Sequence, residues 1–320
     1  MELSSKTINY MKELSKYKIV NNKKNNSEIF HCVFNEIKIA THYFDKMKDT
    51  VSIETKKINN VNKIPFPKTK SESSFPKNIE DNIMKNSNYL SNIEFNILGI
   101  NFTVHMVYEL NNFDISNYIK LIIVWLNIAI SNTNKNCCKN IKIYLYFSNL
   151  IKKIPENESE IINVENANSA YTYCCKTDNE IIIFRKEEWL KVFMHETFHT
   201  LGLDFCLLDN NNISDKIKKI FPIDIDFGLT EVYCETWAEL FNIFFISFFN
   251  SNNTLKTFLK STKKLIKYEK TFSIIQTIKI LDFMNLEYKD LYCKDKVNTY
   301  KRETFYKENT NVFSYYILKS

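Results

Sequence analysis

Along "EIFHCVFNEIKIATHYFDKM" (28–47) apolar residues recur three and four apart, the spacing of an amphipathic helix, and residues 1–50 as a whole read as helical. The pattern then fades. Residues 55–80 hold three of the five prolines and few apolar side chains, which predicts a linker. From residue 93 the period shortens to two, and "IEFNILGINFTVHMVYEL" predicts a β-hairpin turning near Gly99. "DISNYIKLIIVWLNIAIS" (114–131) returns to helical spacing, with Asp114 placed to cap it. Strands follow at 141–147, 169–175 and 180–184, the last two separated by Lys176 to Asn179. A helix is predicted over 187–201, with Glu187 and Glu188 in its first turn and Gly202 at its end. After a loop of about 25 residues, "LTEVYCETWAELFNIFFISFF" (229–249) predicts a second helix, and further helices fill 254–292. The last 25 residues show no clear pattern.

These elements divide the chain into a mainly helical region at 1–90, an α+β domain at 91–250 and a helical region at 251–320. With 320 residues and 44% hydrophobic composition, the chain can bury a core. The abundance of Asn, Lys and Ile reads as the bias of an AT-rich genome, which removes any weight from the Asn101-Phe102-Thr103 glycosylation match. The longest apolar runs, 121–130 and 240–249, are too short to cross a bilayer. The N-terminus carries charges where a secretory signal needs an apolar stretch, so an intracellular, cytoplasmic location with no membrane span is expected. Eight cysteines include the adjacent pairs Cys137-Cys138 and Cys174-Cys175 but no CxxC spacing, so reduced thiols are expected and a zinc ribbon is excluded. The net charge of +6 comes from basic ends around an acidic middle. It is diffuse and reads as solvated surface, so no nucleic-acid partner is expected.

One stretch changes the picture. "WLKVFMHETFHTLGLDF" (189–205) contains His195-Glu196-Thr197-Phe198-His199. Residues four apart share a helix face, so the two imidazoles can grip one ion, and Glu196, one step round, can take a proton from a water beside it. By chance the pattern arises in roughly one such sequence in two hundred. The competing reading is a packed or surface helix that happens to carry two histidines. A catalytic zinc needs a third protein ligand and an open position. The extension HExxHxxGxxH is matched at Gly202, but its third histidine is replaced by Phe205, and Asp204 lies one residue early. The other source is the helix "EVYCETWAELF", where Glu231, Glu235 and Glu239 stand four apart among large apolar side chains. A carboxylate buried there needs a cation or a proton.

HExxH followed by a helix carrying E-x-x-A-E-x-F resembles the gluzincin branch of the zincin metallopeptidases. The resemblance spans roughly residues 95–250. It implies Glu235 as the third zinc ligand, Glu239 as the carboxylate that orients His195, and Glu231 as the ligand if the register is one turn earlier. It implies a mixed β-sheet with a backing helix, an edge strand that pairs with an extended peptide at "NVENANSAYTY", an active-site helix, and a mainly helical C-terminal part. The wording around the motif is also similar to uncharacterised metallopeptidase-like proteins of large DNA viruses, in which case the virion is a further location. The gap from His199 to Glu235 is longer than in thermolysin-like enzymes. No histidine follows His199, so a tyrosine, with Tyr233 nearest in sequence, is the candidate oxyanion stabiliser. The function implied is zinc-dependent peptide hydrolysis with Glu196 as base and a peptide or protein as substrate. The alternative is an inactive zincin-fold structural or host-interaction protein whose zinc is closed by a fourth ligand from Asp204, Cys206 or Cys234. His31, His42 and His105 read as structural or surface residues.

Overall fold

The three-and-four spacing of the first helix is realised in α1 (Ser27–Met47), which buries Phe34, Ile37 and Ala40. The computed structural model describes residues 27–71, 73–110, 113–133, 137–208, 211–251 and 254–320; the part of the predicted N-terminal helix before Ser27 lies outside them. Two compact units interleave in sequence. Glu36–Lys153 with Asn163–Leu207 forms a sheet unit; Ile154–Ile162, Leu208–Ser320 and the described residues up to Asn35 form a helical unit. The boundaries expected near 90 and 250 do not coincide with these units.

In the sheet unit, β1 (Ser52–Lys57) is exposed along its length and α2 (Lys77–Asn86) buries Ile79 and Ile83. β2 (Tyr89–Ile97) and β3 (Ile100–Tyr108) form the expected hairpin, paired from Tyr89 and Tyr108 to Ile97 and Ile100. Its two-residue turn has positive φ at both Leu98 (50°) and Gly99 (90°), the mirror-image turn whose twist matches the strands. α3 (Ile115–Ser131) follows, with Asp114 accepting from the Asn117 amide at 3.2 Å as the cap predicted. β4 (Asn140–Tyr146), α4 (Val164–Ala167), β5 (Ala170–Thr172), β6 (Asp178–Ile183) and α5 (Trp189–Thr200) complete the unit.

The six strands form one mixed sheet in the order β1-β2-β3-β4-β6-β5. β3, β4 and β6 run parallel, while β1 and β5 are antiparallel edges. The fold mixes helices with one six-stranded mixed sheet, compatible with the expected α+β class. The inner strands β4 and β6 are buried along most of their length and end in apolar residues, as strands covered on both faces do. α3 packs on β2 and on α5, with Trp125 and Phe198 rings 5.6 Å apart and Tyr118 and Trp189 rings 4.8 Å apart.

Residues 55–80 are no linker. Ile64 and Phe75 join Ile79 and Ile83 in a buried cluster with Val107, Tyr144, Tyr146, Ile182 and Phe184. The segment has few apolar residues, but most of them dock, Ile58 and Phe66 packing against the same cluster while Val61 stays exposed, and part of its backbone is received by one carboxylate. Buried Glu180 accepts from the Thr69 hydroxyl at 2.8 Å, from the Lys68 and Thr69 amides at 3.3 Å, and from the Tyr144 hydroxyl at 3.2 Å. A buried charge is tolerable only with such a set of donors. Arg185, also buried, donates to the carbonyls of Leu150, Glu165 and Asn168 and so holds the loops that lead into β5.

In the helical unit, α6 (Asn211–Ile220) occupies the middle of the expected long loop. α7 (Leu229–Phe249) has the predicted bounds, and α8 (Leu255–Phe283) runs unbroken where several helices were expected. Phe34 of α1 packs on Phe248 and Phe258, with centroids 5.3 and 5.2 Å away. α9 (Lys296–Phe305) and a short helical segment at Phe313–Leu318 organise the C-terminal residues whose pattern was unreadable. Buried Arg302 ties this part together through the carbonyls of Pro222, Asp290 and Cys293. Among the described residues no helix is long and apolar enough to cross a membrane.

Two predictions follow from these buried charges. Glu180→Ala removes the acceptor of four hydrogen bonds and should cost about 2–4 kcal/mol in urea unfolding. Hydrogen exchange at the Lys68 and Thr69 amides should accelerate; unchanged exchange there would exclude the clamp. Glu308 accepts from the Tyr306 hydroxyl and the Phe313 amide, yet burial pushes its carboxyl up from 4.5 to about 7. The folded state then holds the proton more tightly than the unfolded chain. That contribution is complete below about pH 4.5 and is lost as pH rises through about 7. Relative to Glu308→Gln, the wild type should lose on the order of 3 kcal/mol between pH 4.5 and 8, read as a diverging Tm; parallel profiles would contradict it.

Candidate metal centre

α5 begins later than predicted. Glu188 is its N-cap with a left-handed φ of 58°, so Glu187 and Glu188 precede the helix instead of filling its first turn. They serve the neighbouring loop: Glu187 accepts from the Lys152 amide at 2.9 Å, and Glu188 pairs with Lys152 and Lys191. The helix interior is almost wholly buried, His195 and Glu196 included.

His195 and His199 meet as the spacing requires. Their Nε2 atoms are 3.2 Å apart. Two ligands on a tetrahedral zinc, each about 2.05 Å from it, stand about 3.3 Å from one another, so the pair has the span of one edge of such a site. The second nitrogen of His199 is also committed. Its Nδ1 lies 2.5 Å from Oδ2 of Asp204, whose side chain is fully buried. A carboxylate can only accept, so the proton sits on Nδ1 and the lone pair on Nε2, the form in which imidazole binds a metal. The donor chemistry and spacing fit zinc.

The contact exists because of the way α5 ends. Gly202 has φ +62°, the Gly202 amide donates to the His199 carbonyl at 3.1 Å, and the Leu203 amide donates to the Phe198 carbonyl at 2.9 Å. This pair of bonds is the Schellman arrangement, which reverses the chain and returns Asp204 to the helix end. Asp204, one residue early for the third-histidine position, instead meets the ring of His199 on the nitrogen turned away from His195. Gly202 and the fact that Asp204 lies two residues beyond it were readable in the sequence, but the return of the chain was not.

The cysteines correct another expectation. They are not all reduced. Cys137 is bridged to Cys175 and Cys174 to Cys206, across 38 and 32 residues, while Cys32, Cys138, Cys234 and Cys293 are not disulfide-bonded. Adjacent cysteines indeed do not bridge each other. Each half of the Cys174-Cys175 pair takes a partner from a different loop, a pairing that no sequence spacing announces. Cys206 is thereby removed as a free thiol. Cys138 donates to the Thr200 carbonyl at 3.1 Å, and burial pushes its pKa up to about 11, so it is not a reactive thiolate.

The glutamates of α7 belong to the helical unit. Glu235 is buried as expected, but the cation beside it is Lys319, whose ammonium lies 3.4 Å from Glu235 and also contacts Glu239. Glu231, half-buried in the first turn, accepts from the Tyr315 hydroxyl at 3.0 Å. Tyr233 packs edge-on to Trp237, with centroids 6.3 Å apart. Lys319 and Tyr315 lie more than eighty residues away, in the segment without a readable pattern, so nothing in the sequence pointed to them. Among the other histidines, His31 and His42 are exposed and His105 bonds Asn92 at 2.8 Å.

No protein-family model, curated protein or solved structure matches the chain.

Gly202→Ala should cost about 1–2 kcal/mol, because a Cβ is disfavoured at this φ and would stand 3.0 Å from the Cys137 sulfur. Chemical denaturation measures this; a neutral substitution would mean that the turn does not need glycine.

Proposed function

We propose that this chain is a zinc-dependent peptidase, and the observation that carries the reading is the His195–His199 pair with Asp204 behind His199. His195, His199 and a glutamate of α7 would hold the ion. The resemblance named Glu235, with Glu239 behind it and Glu231 one turn earlier as the reserve. The contacts within the helical unit favour the earlier register. An ammonium lies against Glu235 and Glu239 and would compete with a metal for them, and Glu231 accepts from the Tyr315 hydroxyl. Bound zinc supplies two things here, polarisation of a peptide carbonyl and a lowered pKa for water.

The chain's own residues do the rest. Glu196 is adjacent to His195 and buried with it, so its carboxylate can accept the proton of the attacking water and pass it to the leaving amine. Asp204 keeps His199 in the ligating tautomer. β5 is an antiparallel edge strand of the sheet among the described residues, suited to pair with an extended substrate backbone. The alternative of a non-catalytic protein with a closed zinc site needed a fourth ligand from Asp204, Cys206 or Cys234. Asp204 is engaged on the far nitrogen of His199 and Cys206 is bridged to Cys174, so that alternative now requires Cys234.

The test is zinc content by mass spectrometry with hydrolysis of a quenched peptide library. Wild type should hold one zinc per chain, His195→Ala and His199→Ala none, and Glu231→Ala less than Glu235→Ala. Glu196→Gln should keep the metal and lose about 100- to 10,000-fold in rate. Wild-type protein that takes up no zinc would end the peptidase reading.

A further inference from the structure

The proposed hydrolysis leaves the paired cysteines of the sheet unit unused, yet they straddle the end of α5. The Cys175 amide donates to the His199 carbonyl at 3.3 Å, and the Gly202 turn lies against the Cys137 and Cys175 sulfurs. Two residues beyond Asp204, Cys206 donates its amide to Asp204 Oδ1 at 3.4 Å and is bridged to Cys174. The segment that carries Asp204 is therefore tied at one end by the helix-terminating turn and at the other by a disulfide. All four sulfur-bearing residues are half-buried, within reach of a small reductant.

We propose that the Cys174–Cys206 bridge is a redox lock on Asp204: closed, it keeps the carboxylate on His199; opened, it releases the carboxylate and weakens metal binding by the histidine pair. The inference rests on the zinc reading above. A dithiol opens the bridge in two exchanges. Its first thiolate attacks one cysteine sulfur and displaces the other as a thiolate. Its second sulfur then closes a ring and frees the first cysteine. The protein gains two electrons and two protons, and the dithiol leaves as a cyclic disulfide. Freed of its tether, the loop holds Asp204 only through its own turn, and His199 loses the acceptor that selects its ligating tautomer. Opening also leaves two thiols beside Asp204, since Cys174, Asp204 and Cys206 already group their donor atoms.

The experiment measures zinc affinity of the full chain against a chromophoric chelator, before and after reduction with tris(2-carboxyethyl)phosphine. Reduction should weaken binding about 10- to 100-fold, the loss typical when a residue supporting a ligand is removed. Asp204→Asn should weaken the oxidised protein to a similar degree and abolish the response to reductant. A Cys174→Ser, Cys206→Ser double variant, with Cys137–Cys175 intact, should match the reduced wild type and ignore the phosphine. Equal affinity in both redox states overturns the lock while leaving the zinc reading in place. A second equivalent of zinc taken up on reduction overturns it in favour of a thiol metal site. Absence of zinc binding by the oxidised wild type ends both readings together.

Discussion

Two imidazoles four residues apart face the same side of a helix, but each is a good ligand only if its ring is held in one tautomer, and for His199 that depends on how α5 ends. Had the helix continued, Asp204 would stand five residues on, about 7.5 Å along the axis and about 140° round from His199. From there its carboxylate could not meet Nδ1. The left-handed residue at Gly202 folds the chain back, and the fully buried carboxylate arrives at 2.5 Å. The two disulfides and the buried Cys138 thiol, bonded to the Thr200 carbonyl, all gather on this same short turn. The chain concentrates covalent and hydrogen-bonded restraint where one side chain must be placed.

Elsewhere the chain buries charge by different means. Glu180 is satisfied by two backbone amides and two hydroxyls and carries no countercharge among those partners. Arg185 gives its protons to three carbonyls. Both arrangements tie irregular backbone to the sheet, which explains how a proline-bearing segment and the approach to β5 can be ordered with so few apolar residues. In the helical unit Glu235 and Glu239 are instead met by an ammonium. Burying an ion pair is favourable only when each partner keeps its mate, so Lys319 and these two carboxylates should be regarded as one unit.

What could be read from the sequence was what depends on short range. The hairpin, the cap at Asp114, α3, α7 and the glycine stop of α5 came from periodicity and turn chemistry, and so did the facing of His195 and His199, which is a property of helical spacing alone. What could not be read needed partners distant in the chain. The segment at 55–80 looked like a linker because its few apolar residues have no period of their own; their positions make sense only against Tyr146, Ile182 and Phe184. The cysteine expectation failed because it was argued from compartment, whereas bridging depends on which loops meet. Asp204 was judged only against the third-histidine position, one residue on, and its return to the ring of His199 depends on the turn at Gly202.

The same distinction bears on the third ligand. Sequence argument demanded a cation for a carboxylate buried on α7 and assigned that demand to Glu235. The demand was sound, but a lysine answers it as well as a metal does, and it answers it for Glu235 and Glu239 together. Once those two share an ammonium, the case for a ligand built on their need for positive charge no longer applies to them. The ligand proposed above is therefore Glu231, one turn earlier on the same face, which accepts from the Tyr315 hydroxyl. In the proposed register Glu235 stands four residues behind the ligand, beside the Lys319 ammonium.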